Sequence, residues 1–145
     1  MLFERKKNRP VGVAKRYVAA LNARDIDTML ALLHPHPTFV DSRGYCIQGY
    51  DDCRAGVRAF LDLDHGFRMH VDNYTLRHGD VLMRGHTEAH DPRLAHDTLW
   101  LVKVEDGKMR FWQSFGDMHS PALAHILLPE RSKPAEDCAM AQIHA

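Results

Sequence analysis

The sequence predicts an α+β domain in which helices cover one face of a curved, mostly antiparallel sheet. Three observations predict it. Apolar residues recur at helical spacing through the first third of the chain, then alternate with period two from residue 67. The alternating segments are joined by "HGD", "DPR" and "EDG", which is the chemistry of tight turns. The length of 145 residues, with 45% apolar and 26% charged side chains, suits one globular core rather than two.

In chain order, positions 11–22 read as a first helix, because Val13 or Ala14, Tyr17, Val18 and Leu21 share one face. Asp25 caps a second, "IDTMLALL", and the "HPHP" at 34–37 ends it, since a residue before proline is pushed out of the α region. "TFVD" reads as a strand, "SRG" as a turn and "YCIQG" as a second strand. "YDDCRAGVRAFLDL" is a third helix, with Cys53, Gly56 or Val57, Phe60 and Leu61 on one side. The strands "FRMHVDNYTL", "DVLMRGHTEAH", "HDTLWLVKV" and "KMRFWQSFG" follow. Residues 1–10 form an arm, 11–120 the domain, and 121–145 a polar, proline-containing tail that adds no element of its own.

Strand parity assigns faces. Val81, Met83, Gly85, Thr87 and Ala89 form the helix-covered side, as do Thr98, Trp100, Val102 and Val104 on the next strand. Leu82, Arg84, His86, Glu88 and His90 point the other way, as do Asp97, Leu99, Leu101 and Lys103. Leucines on that outer face predict a covering partner subunit.

Several function classes are excluded at this level. Nineteen basic residues balance nineteen acidic ones, so there is no footprint for nucleic acid or an anionic membrane. "MLFERKKNRP" lacks the apolar run of a signal peptide, and no stretch approaches the roughly 20 apolar residues of a membrane span. Cys46, Cys53 and Cys138 make neither an even set nor a CxxC pair, which predicts a reduced, cytoplasmic setting. Eleven histidines invite a metal reading. Yet His34 and His36 are merely close in sequence, and His86, Glu88 and His90 lie two apart on an outer face where side chains diverge. Neither set matches an HExxH helix or a tetrahedral Cys/His site, so no metal is expected.

"RYVAALNARDID", "TFVDSRG", "QGYDDCRAGV" and "GKMRFWQSFGD" together resemble the ketosteroid isomerases, within the nuclear-transport-factor-2-like (SnoaL-like) superfamily, over roughly residues 11–117. The resemblance implies a cone-shaped barrel: three N-terminal helices packed on a strongly bent sheet around an apolar pocket, often dimeric through the outer face of the sheet. It also implies chemistry without a cofactor. In the isomerases an aspartate ending the first strand removes a proton beside a ketone, while a tyrosine on the first helix donates a hydrogen bond to the enolate oxygen. Carried over, Asp41 takes the base position and Tyr17 the donor position. The family's second acid has no counterpart, because Trp100 falls at its place and Asp97 has the opposite parity. Losing one such donor typically lowers the rate about 100- to 1000-fold, so steroid isomerisation is not expected.

The residues carry the same expectation in physical terms. An aspartate facing an apolar pocket loses hydration and becomes a better base near neutral pH. A phenol in a helix stripe needs a polar partner, and in a hollow that partner is a ligand oxygen. By parity Trp100, Phe111, Gln113 and Phe115 line the pocket with Phe60, Gly56 and Thr87, and His96 has the inward parity, which makes it the candidate histidine for a dehydratase-like role. The expected function is acid/base chemistry of isomerase, dehydratase or cyclase type on a small hydrophobic molecule bearing a carbonyl or hydroxyl. A non-catalytic ligand-binding or dimerisation domain of the same fold is the other expectation.

Overall fold

The computed structural model describes residues 8–138. Four helices and seven strands are present among them: α1 (Pro10–Asn22), α2 (Ile26–Ala31), β1 (Leu33–Val40), β2 (Tyr45–Gln48), α3 (Tyr50–Leu63), β3 (Arg68–Arg77), β4 (Asp80–Glu88), β5 (Asp97–Glu105), β6 (Lys108–Phe115), α4 (Leu123–Leu127) and β7 (Lys133–Pro134). The strands form one curled, unclosed sheet in the order β3-β4-β5-β6-β1-β2-β7, and β1 runs parallel to β6 while every other pair is antiparallel. This is the expected α+β cone.

Local chemistry explains the boundaries. Pro10 opens α1, where a missing N–H costs nothing. Asp25 caps α2 by accepting from the Thr28 backbone N–H at 3.2 Å and from its hydroxyl at 2.6 Å. His78 and Gly79, and again Asp106 and Gly107, adopt positive φ, so the β3–β4 and β5–β6 hairpins turn through two-residue left-handed corners. The α1 stripe buries Val13, Ala14, Tyr17, Val18 and Leu21, and each larger side chain among them contributes about 1.5–3 kcal/mol of burial. Asn22 then locks the end of α1 to the sheet. Its amide donates to Met69 O at 2.8 Å and accepts from Met69 N at 2.8 Å.

Three expectations change. "HPHP" does not lie outside the sheet: β1 begins at Leu33, opposite Met109, and a register shift before Thr38 absorbs the proline-rich stretch, whose Pro35 and Pro37 have no N–H to give. The tail is not featureless either. It supplies α4, and β7 pairs with β2 at the sheet edge. Cys138 forms a disulfide with Cys46 of β2, which removes the ground for expecting unpaired, reduced cysteines; Cys53 is buried and free. No helix among the described residues is long and apolar enough to cross a membrane.

Candidate functional site

Between α1, α3 and the inner face of the sheet lies a cavity of about 110 Å³, many times the ~10–15 Å³ that one water occupies by the same kind of measure. Its helical walls are Tyr17 and Leu21 from α1, Met29 from α2, and Cys53, Gly56, Val57 and Phe60 from α3. The sheet contributes Phe39, Ile47, Met69, Trp100 and Trp112, and α4 closes one side with Leu123 and Leu127. The absence of a side chain at Gly56 leaves room here, although a Cβ there would stand 3.3 Å from Ile47 Cδ1.

Tyr17 is the central polar feature. Its ring packs against Trp112 with centroids 5.3 Å apart. Its hydroxyl has no hydrogen-bond partner among the described residues, whereas the neighbouring polar groups are occupied. The Trp112 indole N–H donates to Ser114 Oγ at 3.3 Å, and the Cys53 thiol faces the Pro37 and Ile47 carbonyls at 3.7 and 3.6 Å. Burial, with the Cys53 thiol beside it, holds the Tyr17 phenol well above the ordinary tyrosine range, so it stays protonated. Burial, reinforced by Asp52, likewise pushes the Cys53 thiol up to about 12.

Asp41 sits elsewhere. It is only 2% exposed but does not line the cavity. One carboxylate oxygen accepts from Arg43 N at 2.8 Å and Tyr45 N at 3.0 Å, closing the β1–β2 turn in which Gly44 takes a φ of +86°. The other accepts from Ala124 N at 2.7 Å, at the start of α4. The side chain therefore ties a hairpin turn to the C-terminal helix. Asp41 and Tyr17 do not share a hollow as the sequence suggested, because a backbone turn and a helix start supply the donors that the carboxylate would otherwise seek.

The other expected positions divide. Trp100, Phe60 and Gly56 line the cavity. Thr87 faces the inner side, but its hydroxyl is spent on Leu94 O at 2.5 Å and it does not reach the cavity. His96 is turned to the far end of the cone, its Nε2 3.0 Å from Ser120 Oγ and its Nδ1 2.9 Å from Thr98 Oγ1. The parity of β6 is the reverse of that expected: Trp112 and Ser114 lie with Trp100 and Val102, while Gln113 and Phe115 pair with Leu101 and Leu99 on the outer face. Phe111 borders the cavity yet packs in a separate cluster with Val40, Cys46 and Cys138. Met109, Phe111 and Phe115 make the expected parity the more apolar one, but the register shift where Lys103 pairs with Phe111 and Val104 with Met109 adds a residue at Arg110 and carries Trp112 to the inner face, a bulge that alternation alone does not announce.

The SnoaL-like domain family matches residues 14–112. No functionally curated protein matches the chain in sequence. Among solved structures, a candidate polyketide cyclase from Sinorhizobium meliloti superposes with a TM-score of 0.64 at 16% identity, covering 70% of this chain and 92% of that one. A candidate ketosteroid isomerase from Kribbella flavida gives 0.63 at 18% identity, covering 77% and 78%. A cystatin-fold protein from Novosphingobium aromaticivorans gives 0.61 at 24% identity, covering 70% and 93%. At these identities the likeness is one of fold. The family match spans most of the cone and includes both Tyr17 and Trp112. The chain belongs to the SnoaL-like domain family, on a nuclear-transport-factor-2-like fold.

Proposed function

We propose that the cone holds a small, largely apolar molecule and receives its carbonyl or hydroxyl oxygen on the Tyr17 hydroxyl. The observation that carries this reading is a buried phenol in an apolar cavity with no partner from the described residues. A hydrogen bond from that phenol to a ligand oxygen is worth about 0.5–1.5 kcal/mol. Asp41, in this reading, is a clasp for the turn and α4. The enzymatic version, favoured by the cyclase and isomerase among the fold neighbours, has Asp41 remove a proton beside the bound oxygen. It requires the carboxylate to leave Arg43, Tyr45 and Ala124. No cofactor enters either version.

The test pairs an aromatic ketone, acetophenone, with its hydrocarbon counterpart, ethylbenzene, and follows binding by tryptophan fluorescence and calorimetry. Tyr17→Phe is expected to weaken the ketone by roughly 2- to 10-fold, the worth of one hydrogen bond, and to leave the hydrocarbon unchanged. Equal affinities of both proteins for the ketone would remove Tyr17 as the anchor, and absence of binding by either probe would remove the cavity. For the enzymatic version, exchange of the ketone's α-hydrogens in heavy water, lost in Asp41→Asn, is the deciding readout.

We further infer a homodimer through the outer face of the sheet, supported by Leu82, Leu99 and Phe115 at 39%, 52% and 46% exposure on adjacent strands. Sedimentation should give the mass of two chains, and Leu99→Glu that of one; a wild-type monomer at micromolar concentration would end the inference.

A further inference from the structure

We propose that His70, His86 and Glu88 form a binding site for a divalent transition-metal ion, of the zinc class, on the outer face at the β3 edge of the sheet. The site is separate from the cavity. In sequence His86 and Glu88 are next-but-one neighbours whose side chains diverge, and the third ligand is invisible because it comes from the other strand. The β3–β4 register brings it in: His70 stands directly opposite His86. One ligand atom from each of the three residues lies within 4.8 Å of the others.

The local backbone makes this approach possible. β3 carries a register shift between Val71 and Asn73, two residues past His70. At that point the backbone of β3 comes so close to β4 that a Cβ on Gly85 would stand 1.8 Å from the His70 carbonyl oxygen. A glycine beside His86 is thus what lets His70 settle over it, and the two imidazoles stack with centroids 4.7 Å apart and planes 17° from parallel.

The polar atoms are left in an arrangement that calls for a cation. His70 Nε2 is shielded from solvent and has no well-directed hydrogen bond, although Glu88 Oε1 is 2.8 Å away. A proton on His70 Nε2 would make this an ion pair, but it would not point well at the carboxylate; a metal ion seated between the two atoms meets both. Two ligand atoms each about 2.1 Å from a tetrahedral ion stand roughly 3.4 Å apart, so the 2.8 Å contact would open by about half an ångström and His86 would rotate in to complete the set. Two imidazoles and one carboxylate suit zinc, with solvent filling the remaining position. Asp97, opposite His86 on β5, adds negative charge nearby, while Arg84 and Arg68 on the same face oppose it. The other grouping of potential ligands among the described residues, His34 with Glu105 and Asp106, offers one imidazole only. An ion held by His70, His86 and Glu88 would join the edge strand β3 to β4 at the one place where their ladder is irregular.

The experiment titrates zinc sulfate into the untagged full chain and follows it by calorimetry, with cobalt substitution as a spectroscopic check. One ion per chain is expected, together with the visible absorption of a four-coordinate cobalt site and a rise in melting temperature on adding zinc. His70→Asn and His86→Asn should each weaken binding at least about tenfold, as loss of a ligand does, while His34→Asn binds as wild type. Glu88→Gln, at an exposed position that the fold tolerates, should weaken binding too and guards against misfolding of a histidine variant. Absence of saturable zinc binding by the wild type, or wild-type affinity in both His86→Asn and Glu88→Gln, would overturn the proposal.

Discussion

The corner around Asp41 and the cavity wall around Tyr17 are built from the same materials, a buried polar side chain set among apolar neighbours, and they end in opposite states. At the corner every polar requirement is met within the chain: three backbone N–H groups converge on one carboxylate, Ser42 Oγ accepts from Gly116 N at 2.8 Å, and Cys46 of the disulfide stands opposite the adjacent Val40. At the wall a phenol is held at the edge of an empty volume with no hydrogen-bond partner among the described residues. The first arrangement is what a fold uses to fix its own shape; the second is open to something from outside. Burial alone does not separate them, since Asp41 and Tyr17 are both nearly inaccessible. The state of their partners does.

Two substitutions sharpen this contrast. The larger effect is expected from Asp41→Ala, which strands three N–H groups, one of them at the buried start of α4, and should lower unfolding stability by about 3 kcal/mol. A shift of the urea midpoint at unchanged slope is the measurement, and a shift near zero would mean that solvent replaces the carboxylate at no loss. The smaller effect is expected from Tyr17→Phe, which removes an unpaired hydroxyl and keeps the ring on Trp112, so stability should stay within about 0.5 kcal/mol of wild type. A loss as large as that of Asp41→Ala would reveal a hidden partner for the phenol and erase the distinction.

Much of this architecture was legible in the chain. The change from helical to alternating spacing, the Asp25 cap and the turn residues placed α1, α3 and β3 to β6 to within a residue or two. Tyr17 was legible because a polar ring interrupts an otherwise aliphatic stripe. Asp41 was legible only as a residue ahead of a turn, and its third partner, Ala124, lies 83 positions away in a segment that shows no periodicity. The faces of β6 escaped for a related reason: Phe111 is apolar yet outward, since Cys138 of the tail covers it there. His70 and His86 show the same limit, because their meeting depends on pairing register and on a bulge that no local pattern announces.

The bond between Cys46 and Cys138 joins positions 92 apart, so α3, four of the long strands and α4 belong to one covalent ring. Closing a ring of that size removes roughly 4–5 kcal/mol of chain entropy from the unfolded state. A processive unfolding machine pulling from beyond Cys138 would meet that ring as a knot-like stop. It could not reel in the cone one residue at a time, and would have to admit two strands of polypeptide side by side or wait for a thiol to open the way.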